Sequence, residues 1–414
     1  MHSIYTNQKF EFILFLSFKF LTSPIYIYQQ NFFMKAGKTI LTVITLTTLF
    51  FIQSCQKVTK NTETTNEEIA TAPNSGAAAG ATLTAPQVYG VWHAGKDQCI
   101  WGSIRDTNEF RTNNYWIIDR GDGRPSVNVV VLSFVHPLKL LNGTTDATTL
   151  NGMPRGMTPG IVKFFKDRGI RVMFSIGGIT YTDAWDQALA ANATQLGLNA
   201  AAVASSMGMG CEIDYEQNRN PNLAGLQQFI TAYRSQIPYD RTGNNHDARL
   251  TIDLACGDRW LIDICRKATA EWLTTTNPVL DYANAMVPAR QPSASSAIAN
   301  WQEHVDGKPQ YGPPIPPLAP AKFTGSLYLV GSKPIAECNN YNNSLQKSTS
   351  AFVQSVVSKV PGGTPGMLGY MFWAAECPGS RIVCTSSTNH CQNGIGAGAT
   401  ALSVQIPMEP LRQQ

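Results

Sequence analysis

Three acidic side chains stand at alternate positions in the run Met207-Gly208-Met209-Gly210-Cys211-Glu212-Ile213-Asp214-Tyr215-Glu216. In an extended chain successive side chains point to opposite faces, so Glu212, Asp214 and Glu216 share one face while Cys211, Ile213 and Tyr215 share the other. On an open edge strand such a row would put acids in water and apolar groups in a core. In a closed sheet the row turns inward, and three enclosed carboxylates cannot all ionise cheaply, because each charge raises the pKa of its neighbours. A proton is then retained near neutral pH. The chemistry this suits is general acid–base catalysis, with Glu216 outermost as the donor and Asp214 behind it as the tuning group. Buried acids cost stability, so their presence argues for function.

The elements able to hold such a row recur along the chain. Short β-branched or aromatic runs occur at 88–93, 127–135, 171–176, 207–216, 249–255, 281–287, 325–330 and 367–373. Several are continuously apolar, as parallel strands covered on both faces are. Helical patterns fall between them at 159–168, 183–206, 223–236, 258–273, 294–303 and 345–359. Eight strands alternating with helices predict the α/β class and a single (β/α)8 TIM barrel with enlarged loops, in residues 86–410. The competing open, doubly wound sheet lacks a G-x-G-x-x-G turn after the first strand. A barrel places its chemistry at the C-terminal strand ends, which here carry His93, Phe134 to His136, Ser175 to Gly178, Glu216, Gly257-Asp258, Tyr328 and Trp373. His93 and His136 fit hydrogen-bonded structural histidines better than catalytic ones. No two of the six histidines have metal-ligand spacing on a helix face and no C-x-x-C is present, so neither a metal nor a cofactor is expected.

Composition narrows the class. The 414 residues are 43% hydrophobic and only 14% charged, with 32 basic against 28 acidic side chains. That excludes disorder for most of the chain, and a net charge of +4 is too small to argue for a nucleic-acid partner. Low charge suits an exported protein with a polar, uncharged surface. Residues 40–52 form an apolar run behind Met34, Lys35 and Lys38 and end in Ile52-Gln53-Ser54-Cys55. The segment resembles a bacterial lipoprotein signal, which implies lipidation at Cys55 and anchoring at the outer membrane or cell surface; the run is shorter than the ~20 residues of a spanning helix. Residues 1–55 are thus an extension plus signal, with Met34 the expected start, and residues 56–85 a flexible polar linker. Setting Cys55 aside leaves eight cysteines, enough for up to four disulfides in an oxidising compartment. Cys384 with Cys391 is the expected pair, in a mouth-side group with Cys338 and Cys377, and Cys211 is expected to be a buried thiol. The proline-rich stretch 306–320 must be extended loop.

Gly210 to Glu216 is similar to the strand-four signature of family-18 glycoside hydrolases, D-G-x-D-x-D-x-E, and Phe174-Ser175-Ile176-Gly177-Gly178 resembles that family's strand-three S-x-G-G motif. Val131-Leu132-Ser133-Phe134 fits its second strand and Gly369-Tyr370-Met371-Phe372-Trp373 its eighth. The resemblance implies retaining hydrolysis of β-1,4-linked N-acetylglucosamine glycans, chitin or chitooligosaccharides, with the substrate's acetamido oxygen as nucleophile. By the same resemblance Glu216 is the acid, Asp214 orients the acetamido group and Glu212 shares its proton. Trp373, Phe134, Ser175, Gly177, Gly178, Met286 and Tyr328 are the expected substrate-binding positions. Three departures stand out: Met209 and Glu212 replace the first two aspartates, and Met286-Val287-Pro288-Ala289 replaces M-x-Y-D on strand six. They leave open an endo-β-N-acetylglucosaminidase acting on the chitobiose core of N-glycans and a noncatalytic glycan-binding lipoprotein. The chain is expected to act as a monomer.

Overall fold

The computed structural model describes residues 87–94, 101–112, 115–119, 123–243, 245–286, 288–328 and 345–375. The signal and linker segments, Cys55, Cys99, Val287, Cys338, Cys377, Cys384 and Cys391 lie outside the described residues. Eight parallel strands close into a barrel: β1 (Val88–His93), β2 (Val129–Val135), β3 (Arg171–Gly177), β4 (Gly210–Asp214), β5 (Leu250–Leu254), β6 (Ala283–Ala285), β7 (Phe323–Tyr328) and β8 (Gly369–Trp373). They follow in chain order around the sheet, and β8 closes on β1 with Val88 opposite Gly369 and Val91 opposite Phe372. The chain is therefore a (β/α)8 TIM barrel, and the open-sheet alternative falls.

Strand alternation sorts the side chains into two layers. Outward residues such as Val91, Val130, Leu132, Phe174, Ile213 and Ile252 join the helices in one apolar layer. Inward, Val88, Val129, Val131, Met173, Leu368 and Met371 plug the foot of the barrel. Burying each of these side chains contributes ~1.5–3 kcal/mol, and the foot is thereby sealed. Polar residues are left to the upper interior.

The helices begin where the sequence supplies caps. Thr158 accepts from the Ile161 N–H at 3.3 Å ahead of Pro159–Lys166, and Ser293 forms a capping box with Ser296 ahead of Ala294–Asp306. The helix predicted at 183–206 runs Thr182–Met207, with a kink at Asn192. Met207 closes that helix and Gly208 caps it in the left-handed conformation, so strand four starts at Gly210 rather than at 207 and ends two residues before Glu216. The helix predicted over 258–273 is broken into a 3-10 turn at Cys256–Asp258, a helix at Ile262–Lys267 and a π turn at Ala268–Trp272. A short helix, Pro137–Asn142, and a hairpin pairing Thr149–Leu150 with Met153–Pro154 enlarge the loop after β2.

Below the barrel, the Asp281 carboxylate accepts from Arg234 at 2.7 Å, from Arg249 at 2.9 Å and from the Leu250 N–H at 2.7 Å. This buried ion cluster joins the starts of β5 and β6 and is structural. Cys211, Cys256 and Cys265 are buried thiols, which corrects the possibility of four disulfides among the eight cysteines. Cys211 faces the helix layer as expected. The Cys256 sulfur lies 3.2 Å from His304 Nδ1, and because the Gly257 N–H donates to His304 Nε2, the neutral ring carries its proton on Nδ1.

Candidate active site

The acidic row sits where alternation requires. Cys211, Ile213 and Tyr215 pack in the outer layer, while Glu212 and Asp214 face the interior and Glu216 follows just past the strand end. All three are buried, at 0%, 4% and 8% exposure. Met209 also lies in the outer layer, so the loss of an aspartate there removes nothing from the interior.

Glu212 is held by donors from two other strands. The Trp92 Nε1–H of β1 donates to Oε1 at 2.8 Å, and the Asn284 Nδ2–H of β6 donates to Oε2 at 2.8 Å. The Thr324 hydroxyl of β7 donates to Asn284 Oδ1 at 2.7 Å. Burial pushes the Glu212 carboxyl up to about 7, against the opposing effect of Trp92, its register neighbour Ser175, and Asn284. Asp214 is pushed well above the usual carboxylate range by burial first, then by Glu216 and Glu212. Proton retention inside the barrel, inferred from spacing alone, thus has its physical cause in desolvation with like charges second.

A fourth acid escaped the sequence reading. Asp253 of β5 is 3% exposed and faces the interior beside Asn284, its register partner on β6. Burial raises its pKa well above the usual range, with Glu212 and Asp214 adding to the effect. The signal was present: in Leu250-Thr251-Ile252-Asp253-Leu254 the apolar residues alternate outward, which turns Thr251 and Asp253 inward. Trp92, Asn284 and Thr324 were missed too, since single polar residues in apolar strands carry no motif.

The two glycines after Ser175 are required by close approach. At Gly177, where φ is +121°, a Cβ would stand 1.9 Å from the Asp214 carbonyl oxygen and 2.3 Å from Trp185 Nε1. At Gly178, where φ is +87°, it would stand 3.2 Å from the Phe134 ring, and the Gly178 N–H donates to the Asp214 oxygen at 3.0 Å. Strand three can therefore lie against the end of strand four, and Phe134 can reach over the mouth.

Aromatic rings form the rim. Trp373, partly exposed at the end of β8, lies 5.7 Å from Phe134 and 6.4 Å from Trp92, ring centre to ring centre. Tyr328 is its register partner on β7 and is buried. Met286 follows the end of β6 and packs against the outer layer, so Asn284 is the residue by which that strand meets the acids. His93 faces outward between Trp101 and Phe110. His136 caps Pro137–Asn142 through Nδ1 and lies against Tyr181; burial, then Lys139, lowers its pKa. Both histidines are structural.

The residues flanking Glu216 are tied to the helix layer. Asp186, on the helix Thr182–Met207, accepts hydrogen bonds from the Tyr215 hydroxyl and from Gln217 Nε2, the latter at 2.6 Å. The Asn222 N–H donates to the same tyrosine oxygen at 2.9 Å. Glu216 is thereby pinned on both sides while its own side chain stays at the mouth.

Fold and site together define a (β/α)8 barrel with an acid-lined well at the C-terminal ends of its strands. Among solved structures the chain is similar to a GH18 chitinase from Pseudoalteromonas aurantia, at 14% identity over 68% of this chain and 94% of that one, with a TM-score of 0.46. It is also similar to a Group IV chitinase of Ostrinia furnacalis solved with allosamidin, at 11% identity over 76% and 99% of the two chains, with a TM-score of 0.40. No protein-family model matches the chain, and no curated protein does.

Proposed function

We propose that the chain is a retaining glycoside hydrolase of glycans containing β-1,4-linked N-acetylglucosamine, working through the substrate's own acetamido group. The observation that carries this reading is the buried pair Asp214 and Glu216 at the barrel mouth, with the partly exposed ring of Trp373 at the C-terminal end of β8. A pyranose stacked on Trp373 would bring its glycosidic oxygen to Glu216. Glu216 gives that oxygen its proton, the C1–O bond breaks, and the acetamido carbonyl oxygen closes on C1. Asp214 accepts from the acetamido N–H, holding the carbonyl in line and stabilising the positive ring that forms. Glu216, now ionised, takes a proton from water as the water opens the ring, and the product keeps its configuration.

Two features favour a second reading, the endo-β-N-acetylglucosaminidase. Strand six offers Asn284 to the interior rather than a tyrosine, and Met286 packs away from it. Export and lipidation at Cys55 belong to the same proposal. The test is release of a fluorophore from a chitobiose glycoside by wild type and by Glu216→Gln. Release abolished by the substitution is expected, and equal release from both overturns the mechanism. Cleavage of high-mannose glycopeptides alone selects the second reading, and binding without release makes the chain a glycan-binding protein.

A further inference from the structure

Both oxygens of Glu212 already accept a hydrogen bond, one from Trp92 and one from Asn284, which orients this carboxyl toward β1 and β6. The Thr324 hydroxyl donates to Asn284 Oδ1, which suits the amide orientation that donates to Glu212. Asp214 has its Oδ1 buried without a hydrogen-bond partner. Asp253 also has its Oδ1 buried and unpartnered, while its carboxyl interacts with the Asn284 side chain. The β4–β5 register pairs Cys211 with Leu250, Glu212 with Thr251 and Ile213 with Ile252. One step further along both strands brings Asp214 beside Asp253, with both side chains turned inward and parallel strands ~4.8 Å apart.

Two adjacent buried carboxylates cannot both be anions without a large desolvation and repulsion cost. A single proton shared between the two neighbouring carboxyls would satisfy both unpartnered atoms at once. We propose that Asp253 is a positioning residue for Asp214: the two carboxyls share one proton, and that proton holds Asp214 in place. When Asp214 turns to accept from an acetamido N–H, the proton stays on Asp253, so that Asp214 meets the substrate as an anion and no further charge is buried. The titratable groups that act on the pair are Glu212 of β4 and Glu216 just past its end. Asn284, which also faces Asp253, is neutral. The role of the pair in turnover rests on the proposed hydrolase activity, whereas the shared proton does not.

The test is an infrared titration of the protonated-carboxyl stretch in wild type, Asp253→Asn and Asp214→Asn, each checked for native circular dichroism. The last proton of a coupled pair leaves at higher pH than it would leave either acid alone. The midpoint is therefore expected to fall by about one pH unit or more, a tenfold loss of proton affinity, in both variants. The acid limb of the kcat/KM profile should move by the same amount in Asp253→Asn. Should that variant fail to fold, Asp214→Asn reads the same proton from the other side. A midpoint unchanged in either folded variant overturns the pairing. Wild type that releases no fluorophore overturns the hydrolase reading alone, because the infrared titration still reports the shared proton.

Discussion

Replacing Glu212 by glutamine separates the cost of a buried charge from the shape that carries it. Burial holds the Glu212 carboxyl near 7 in the folded protein against an ordinary value of 4.5. Below 4.5 the group is protonated in both folded and unfolded chains, and it contributes no pH dependence. Between 4.5 and about 7 the folded state binds the extra proton, so stability falls as pH rises through this window and levels off above it. At 1.36 kcal/mol per pH unit, the loss at alkaline pH is ~3 kcal/mol. Glutamine keeps the length and both polar atoms but sets one NH2 against a donor, either Trp92 or Asn284. An Asn284 flip relieves this, since its oxygen can accept from the glutamine while the Thr324 hydroxyl reverses to accept from its amide; the adjustment costs about one hydrogen bond, ~1 kcal/mol. Glu212→Gln is thus expected to match or fall slightly below wild type at pH 5 and to exceed it by ~2 kcal/mol at pH 8. Urea unfolding of both proteins at the two pH values measures this; relief of Asp214 and Asp253 from the Glu212 charge acts in the same direction. A stability difference that is the same at both pH values refutes the reasoning, as does one of opposite sign.

Three further outcomes follow from the geometry. Gly177→Ala forces a methyl group into the Asp214 carbonyl at a backbone angle suited to glycine, and is expected to destabilise by ~3 kcal/mol or more in urea unfolding, with loss of activity. Asp281→Asn leaves Arg234 and Arg249 buried with their counter-charge removed, and is expected to cost ~3–5 kcal/mol by the same measurement; activity per folded molecule should be unchanged, because Asp281 lies at the foot of the barrel. Asp186→Ala releases the Tyr215 and Gln217 contacts that flank Glu216. It should lower kcat on the chitobiose glycoside about tenfold, ~1.4 kcal/mol of transition-state stabilisation, with KM within about twofold.

The barrel was legible because parallel strands covered on both faces leave continuous apolar runs, and all eight runs contain or overlap a strand. The acidic row was legible because period-two alternation is a local property, needing only residues 211–216. Boundaries were less so. The 207–216 run reads as one strand until the left-handed cap at Gly208 is seen, and β6 shrinks to Ala283–Ala285. What could not be read were contacts across the barrel. Trp92 and Glu212 are 120 residues apart, and nothing in either strand announces that an indole N–H on one will meet a carboxylate on the other. Asp253 is the intermediate case: its inward direction follows from alternation, but its importance follows only from standing beside Asp214, which is a matter of register between two strands.

The departure at position 212 and the acid at position 253 are best understood as one arrangement. A glutamate carries its carboxylate one methylene further from the strand than an aspartate does. Here that reach takes both oxygens to donors on β1 and β6. A carboxylate so engaged is anchored, and its two hydrogen bonds favour the charged form that burial disfavours. Asp214 has an unpartnered oxygen in a buried place, a cost no fold carries without compensation. Asp253 on the adjoining strand supplies that compensation with a carboxyl whose own Oδ1 is buried and unpartnered. Glu212→Asp should therefore act on Asp214 only if it frees a carboxyl from Trp92 and Asn284, while substitution at Asp253 acts directly. The longer arm at 212 sends its carboxyl to β1 and β6, and β5 brings a further acid to the side of Asp214.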